Sequence, residues 1–164
     1  MHRVMPVLLL LCACAAPNAP PAGFRDPKAP IYSNASFSPG QLTGHWRQAA
    51  AITAQPTPGC PPGSADITAG PMGLGLAARL CLNGQLIRAS GPVTSIGPGR
   101  FLLPGLGEAW VIWVDADNRT LAFATPSGAW GFVLDEAIIS PDRLAAAAEI
   151  FSFNGYPPGS LKPF

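Results

Sequence analysis

Three consecutive strand candidates near the end of the chain are apolar on both of their faces. They cover residues 108–114, 121–124 and 130–134 and include Trp110, Trp113, Phe123, Trp130 and Phe132. An antiparallel sheet with one face in water shows alternating apolar and polar residues, and these segments do not alternate. Both faces of this part of the sheet must therefore be covered.

The sequence offers one helix for this purpose. Ser140 suits the N-cap and Pro141 the first helical position, and Gly155 provides a left-handed stop. Apolar residues recur at helical spacing, at Leu144, Ala147, Ala148 and Phe151. Because one helix covers only one face, the other face must meet the rest of the sheet, which happens when a sheet closes into a barrel.

Short strands separated by turns fill the rest of the domain. The 18 Gly and 20 Pro residues punctuate the chain, and Asn83-Gly84 is typical of a tight hairpin turn. Eight strands are predicted, at residues 46–54, 65–69, 74–82, 85–90, 101–103, 108–114, 119–125 and 129–134. The sequence therefore predicts an all-β fold, an eight-stranded antiparallel up-and-down barrel with one C-terminal α-helix packed on its outside.

The first residues resemble a bacterial lipoprotein signal peptide. A basic start at Arg3 precedes an apolar run of about a dozen residues, which is shorter than the ~20 that span a bilayer. Leu11-Cys12-Ala13-Cys14 is similar to the sequence at which such leaders are cut, with Cys14 as the residue that carries the acyl chains, such as palmitate. An ordinary secretory signal cut near Ala16 is the alternative.

This resemblance implies a signal peptide at residues 1–13 and lipid anchoring at the outer membrane, facing the periplasm. Residues 14–38 are rich in Pro and Ala and predict an extended, solvated tether. The barrel domain then covers residues 39–164. In an oxidising compartment Cys60 and Cys81 are expected to form a disulfide.

Charge and residue spacing exclude several classes of function. With 10 Lys+Arg against 9 Asp+Glu, the chain has no basic surface for nucleic acid. Outside the leader the one histidine is His45, and there is no C-x-x-C, so no metal site or redox pair is expected. The carboxylates fall mostly at turns or at the helix start, and no Ser-His-Asp set is suitably spaced. We therefore expect no catalytic residues and no cofactor.

Several short motifs, in this order, resemble those of the lipocalin family. Gly44-His45-Trp46 is similar to the G-x-W signature, and the Asp115–Arg119 segment is similar to the second lipocalin motif, a hairpin. A capped helix followed by Asn154-Gly155-Tyr156 extends the similarity over roughly residues 40–160. Lipocalins usually carry an Arg over the Trp shortly after the last strand, and this chain has Glu136 there.

The resemblance implies a barrel, open at one end, that binds a small hydrophobic molecule such as a fatty acid or a lysophospholipid. By strand alternation the ligand-lining residues would be Trp46, Gln48, Ala50, Val111, Trp113, Ala122, Ala124, Trp130, Phe132 and Leu134. Four others would face the helix: Ile112, Val114, Phe123 and Val133. Trp46 would close the floor of the barrel, and candidates to bind a headgroup are Arg79, Arg88 and Arg100.

The main alternative is a non-catalytic envelope lipoprotein whose barrel is filled by its own side chains and which acts through protein–protein contacts. An empty interior would favour the lipid carrier, and a filled one would favour this alternative. A third hypothesis is that the protein is an enzyme, and the residue spacing does not favour it.

Overall fold

A computed structural model describes residues 23–164 and shows a closed antiparallel barrel. Its strands are β1 (Gly44–Ile52), β2 (Ser64–Gly70), β3 (Gly73–Leu82), β4 (Gln85–Gly97), β5 (Arg100–Leu103), β6 (Gly107–Val114), β7 (Thr120–Ala124) and β8 (Gly131–Asp135). Each strand pairs with the next along the chain, and β1 pairs with both β8 and β2, which closes the barrel. The predicted up-and-down barrel is confirmed.

Successive strands alternate in direction, so their connections fall alternately at the two ends of the barrel. We call one end the mouth; it holds the connections at residues 53–63, 83–84, 104–106 and 125–130. The opposite end is the floor. It holds the start of β1, a 3-10 helix (Pro39–Leu42) and the turn at residues 115–119.

Helix α1 (Pro141–Phe153) packs on the outside of the barrel, as predicted. The Ser140 side chain accepts a hydrogen bond from the Arg143 amide, and Gly155 adopts a φ of 86°. Ala147 and Phe151 are buried against β1 and the strands from β6 to β8. Gly131 permits this contact, because an added Cβ would lie 2.6 Å from the Phe151 ring.

A ninth strand, β9 (Leu161–Pro163), follows the helix and pairs with β1 at residues 50–52. The sequence analysis did not predict it, because three residues ending in proline give no periodic signal. Its pairing completes the edge of β1 where β2 no longer reaches.

Residues 23–38, which we call the arm, lie along the barrel wall rather than forming the predicted solvated tether. The Phe24 amide donates to Gly128 O at the mouth, and the Asn34 amide donates to Val111 O. Arg25 is buried and donates to the carbonyls of Asn154, Pro126 and Ala29. Composition could not show these long-range contacts.

The predicted signal peptide at residues 1–13, Cys14 and the tether up to residue 22 lie outside the described residues. In the described part of the chain, no helix has the length and apolar character needed to cross a membrane.

Candidate ligand site at the barrel mouth

The interior of the barrel is packed with large apolar side chains. Six of the residues predicted to line a cavity do face this interior: Trp46, Gln48, Val111, Trp130, Phe132 and Leu134. They are joined there by residues from the other strands, the arm and the 3-10 helix, among them Phe37, Leu42, Leu80, Phe101, Leu121 and Phe123. The side chains of Trp46 and Phe101 are fully buried, and that of Phe132 is 1% exposed.

Four predicted lining residues face outward instead: Ala50, Trp113, Ala122 and Ala124. The reason is a pair of register shifts, between Gln48 and Ala50 in β1 and between Val111 and Trp113 in β6. A shift of one residue moves every following side chain to the other face of the strand.

Because of the shift in β6, two of the residues predicted to face the helix point into the barrel instead. Val114 packs against the interior cluster, and Phe123, paired with Val111, points inward. Ile112 and Val133 contact the helix side as predicted.

The floor is closed by Trp46 and the 3-10 helix. The Trp46 indole N–H donates to Leu42 O at 2.8 Å, and Phe37 packs edge-on against Phe101 with ring centroids 6.2 Å apart. The amide of Asn118 exchanges two hydrogen bonds with Gln41, which joins the helix to the turn between β6 and β7. Trp46 therefore has the floor-closing role that the resemblance implied.

Glu136 lies among paired charges at the floor of the barrel. Glu136 contacts Arg119 on the surface at 3.7 Å. Arg143 of α1 is the more buried cation: its guanidinium lies 3.1 Å from Asp135 and 3.7 Å from Asp115. Among the described residues, the cation–π contact joins Arg100 to Trp110 at 4.1 Å rather than any arginine to Trp46.

Gln48, a predicted lining residue, is a structural bridge between two strands. Its side chain accepts from the Cys81 amide at 2.7 Å and from the Gly63 amide, and it donates to Cys81 O at 2.8 Å. At this level of the barrel β2 has not yet begun, so the Gln48 amide takes the place of a strand between β1 and β3. These bonds use its polar atoms within the wall.

An aromatic column leads from the interior to the mouth. Phe123 stacks on Phe132 with centroids 5.1 Å apart, and Phe132 stacks on Trp130 at 5.5 Å. Above Trp130 lies a hollow of about 220 Å³, lined also by Leu82, Asn83, Gln85, Ile87, Gly105 and Leu106. This hollow is smaller than the ~300–1,000 Å³ of pockets that enclose a whole ligand.

The lining of this mouth hollow is uncharged in the described chain. Arg79 and Arg88 are exposed and sit opposite each other across β3 and β4. Arg100 follows the β4–β5 turn at the floor, where it covers Trp110. The three candidate headgroup ligands therefore lie away from the hollow.

The predicted disulfide between Cys60 and Cys81 is present and ties the β1–β2 connection to β3 near the mouth. The Cys81 side chain of this disulfide is fully buried. The bond therefore holds the longest mouth connection against the barrel wall.

A larger surface groove of about 450 Å³ runs outside the barrel beside β1. It holds His45, whose ring contacts the Asp66 carboxylate, and both side chains are more than half exposed to solvent. Solvent screening makes such a pair weak. No cluster of three or more His, Cys, Asp or Glu suited to a metal ion occurs within residues 23–164.

No protein-family model matches the sequence, and a search of curated proteins finds no match. Among solved structures the chain is similar to the crystal structure of the major allergen Per a 4 from cockroaches. The TM-score is 0.57 and the identity 12%, over 84% of this chain and 94% of that chain. Identity at this level shows the fold alone, a lipocalin-like barrel.

Proposed function

We propose that this protein is a non-catalytic, lipocalin-like lipoprotein whose filled barrel excludes a deep carrier cavity and which binds only part of a small hydrophobic ligand, at the barrel mouth. The mouth hollow carries the proposal, because it combines the apolar surfaces of Leu82, Ile87, Leu106 and Trp130 with an opening to solvent. A fatty acid or a lysophospholipid is the ligand class, and acylated Cys14 is the membrane anchor. The anchor rests on the Leu11–Cys14 sequence.

The packed interior limits how the ligand is held. With Phe132 and the residues beneath it nearly fully buried, an acyl chain inserts its end above Trp130 and leaves its remainder outside. Because the mouth hollow is uncharged, the headgroup stays in solvent or at a lipid surface. Binding is therefore driven by burial of apolar area, at about 25 cal/mol per Å².

Displacement of a fluorescent fatty acid by lysophospholipid tests the proposal. Trp130→Ala removes the base of the hollow and is expected to weaken binding at least about tenfold, an order expected for losing a buried aromatic contact. Trp113→Ala is the matched control, since Trp113 faces the helix side. Absence of saturable displacement from the wild-type protein, or equal losses in the two variants, would contradict the proposal.

The filled interior favours a second candidate, a barrel that acts only through protein–protein contacts. In that case the wild-type protein retains no lipid in native mass spectrometry, and a partner of the same envelope co-purifies at constant stoichiometry. Substitution of Trp130 would then leave lipid binding unchanged, because there would be none to lose.

A further inference from the structure

The arm fixes the point at which the preceding chain leaves the barrel. Gly23 packs so closely on the β7–β8 connection that an added Cβ would lie 2.1 Å from Ser127 O. The Phe24 amide donates to Gly128 O at 2.7 Å, and the Arg25 guanidinium donates to Pro126 O at 3.0 Å. The chain upstream of Gly23 therefore starts at the mouth.

The chain between this point and Cys14 is short. Nine residue steps separate Cys14 from Gly23 (23 − 14), and each step spans at most ~3.5 Å, so the reach is about 30 Å. Strand β3 has 10 residues, or roughly 33 Å at ~3.3 Å per residue, and barrel strands tilt by about 35–45°, so the wall is roughly 25 Å tall. Placing the floor on a bilayer would use most of this reach along the outside of the barrel, whereas the mouth lies beside the point where the segment begins.

The two ends of the barrel also differ in charge. Within the described chain, the four mouth connections contain no Lys, Arg, Asp or Glu. The floor carries Asp115, Asp117, Arg119 and Glu136. Charged side chains are costly in the hydrocarbon region of a bilayer, so an uncharged end can sink below the headgroups more readily than a charged one.

Exposed apolar side chains occur at both ends of the barrel, since Met72 in the β2–β3 turn of the floor is 99% exposed, and the mouth has apolar surface of its own. Leu86, beside the tight turn, is 37% exposed, and Phe24 of the arm borders a second shallow hollow next to Asn83. The charge of the arm nearest the mouth is that of Arg25, which is buried and bonded to Pro126 O. Asp26 and Lys28 are exposed, and the Asp26 amide donates to Gly155 O beyond the helix end.

We propose that the protein docks on the bilayer with its barrel mouth against the lipid headgroups and its floor turned away. The occupant of the mouth surface is the bilayer itself, and the inference rests on the proposed acylation of Cys14. In this orientation a lipid enters the mouth hollow directly from the membrane without crossing water.

Lipid-borne quenchers test the orientation. The full acylated protein, purified from membranes, is reconstituted in phosphatidylcholine vesicles that contain a lipid with a nitroxide near its headgroup. A fluorophore is attached through Ala129→Cys at the mouth or through Asp117→Cys at the floor, both exposed positions in turns. We expect quenching several-fold stronger at residue 129 than at residue 117.

Two further measurements on the labelled protein complete the test. Circular dichroism and thermal melting of both labelled variants verify that the fold is retained. Mass spectrometry of the same sample reports acylation of Cys14: an unmodified Cys14 would overturn both the anchor and this orientation. Acylated protein with equal quenching at the two positions, or with stronger quenching at the floor, would overturn the orientation alone.

Discussion

Gln48 shows how one polar side chain completes a sheet where the backbone cannot. It is 2% exposed, and its amide makes three hydrogen bonds to main-chain groups of Gly63 and Cys81. A buried main-chain group left without a partner costs about 1–3 kcal/mol. The bridge therefore contributes to the closure of the wall between β1 and β3.

Gln48→Leu keeps the side-chain volume and removes every one of these bonds. We expect the free energy of unfolding in urea to fall by about 3 kcal/mol, since the Cys81 and Gly63 groups lose their partners. Gln55→Leu, at an exposed position in the next loop, is expected to change it by less than about 0.5 kcal/mol. A loss below about 1 kcal/mol for Gln48→Leu would contradict the bridging role.

Side-chain direction could be predicted from the sequence only as far as the next bulge. Trp46, Phe132 and Leu134 point inward as strand alternation required. Beyond the shifts at Gln48/Ala50 and Val111/Trp113 the alternation reverses. A bulge depends on the pairing of two strands distant in sequence, so one strand's own residues do not reveal it.

At the scale of elements, Tyr156 joins the end of helix α1 to the barrel. Its hydroxyl donates to Trp130 O at 3.1 Å, and its ring packs edge-on against Phe151. Burial raises the pKa of the Tyr156 hydroxyl from 10.0 to about 12, and the charge of Arg25 acts in the opposite direction.

This shift predicts a loss of stability at alkaline pH. Because the folded-state pKa lies above the unfolded one, the stabilisation is fully present below pH 10 and is lost as the pH rises to about 12. The two-unit difference corresponds to about 3 kcal/mol of unfolding free energy. Denaturant unfolding at fixed pH values through this range measures it.

Two tyrosine variants isolate the contribution of Tyr156 to this loss of stability. Tyr156→Phe should be less stable at neutral pH but should lack this alkaline decline. Tyr32→Phe should keep the decline, because Tyr32 is 53% exposed. An unchanged decline in Tyr156→Phe would show that another group is responsible.

The elements that the sequence predicted well are those with local signals. Ser140, Pro141 and Gly155 define the helix within the chain itself, and Asn83-Gly84 forms the expected turn with φ of 53° and 75°. The arm and β9 were missed because their contacts are long-range. Arg25, for example, is held by carbonyls more than 100 positions away along the chain, at Pro126 and Asn154.

For the whole molecule, strands apolar on both faces predicted closure correctly, but they could not predict whether the barrel is empty. The interior volume depends on how side chains from all eight strands meet. Phe123, Phe132 and Trp130 stack in one column, and Leu121 and Leu134 lie below them, so little space remains. The mouth hollow is the part of the barrel that this packing leaves open.

This arrangement predicts that one substitution opens the interior to ligand. Phe132→Ala removes the middle of the aromatic column, and we expect the free energy of unfolding to fall by about 3–5 kcal/mol. We also expect a fluorescent fatty acid to bind more tightly, because the new void continues the mouth hollow. Phe151→Ala, buried on the helix side, should lose similar stability without gaining affinity. If the Phe132→Ala variant unfolds, Phe132→Leu makes a smaller void at the same place. Equal fatty acid affinities in these variants and in the wild type would show that the mouth does not lead into the barrel.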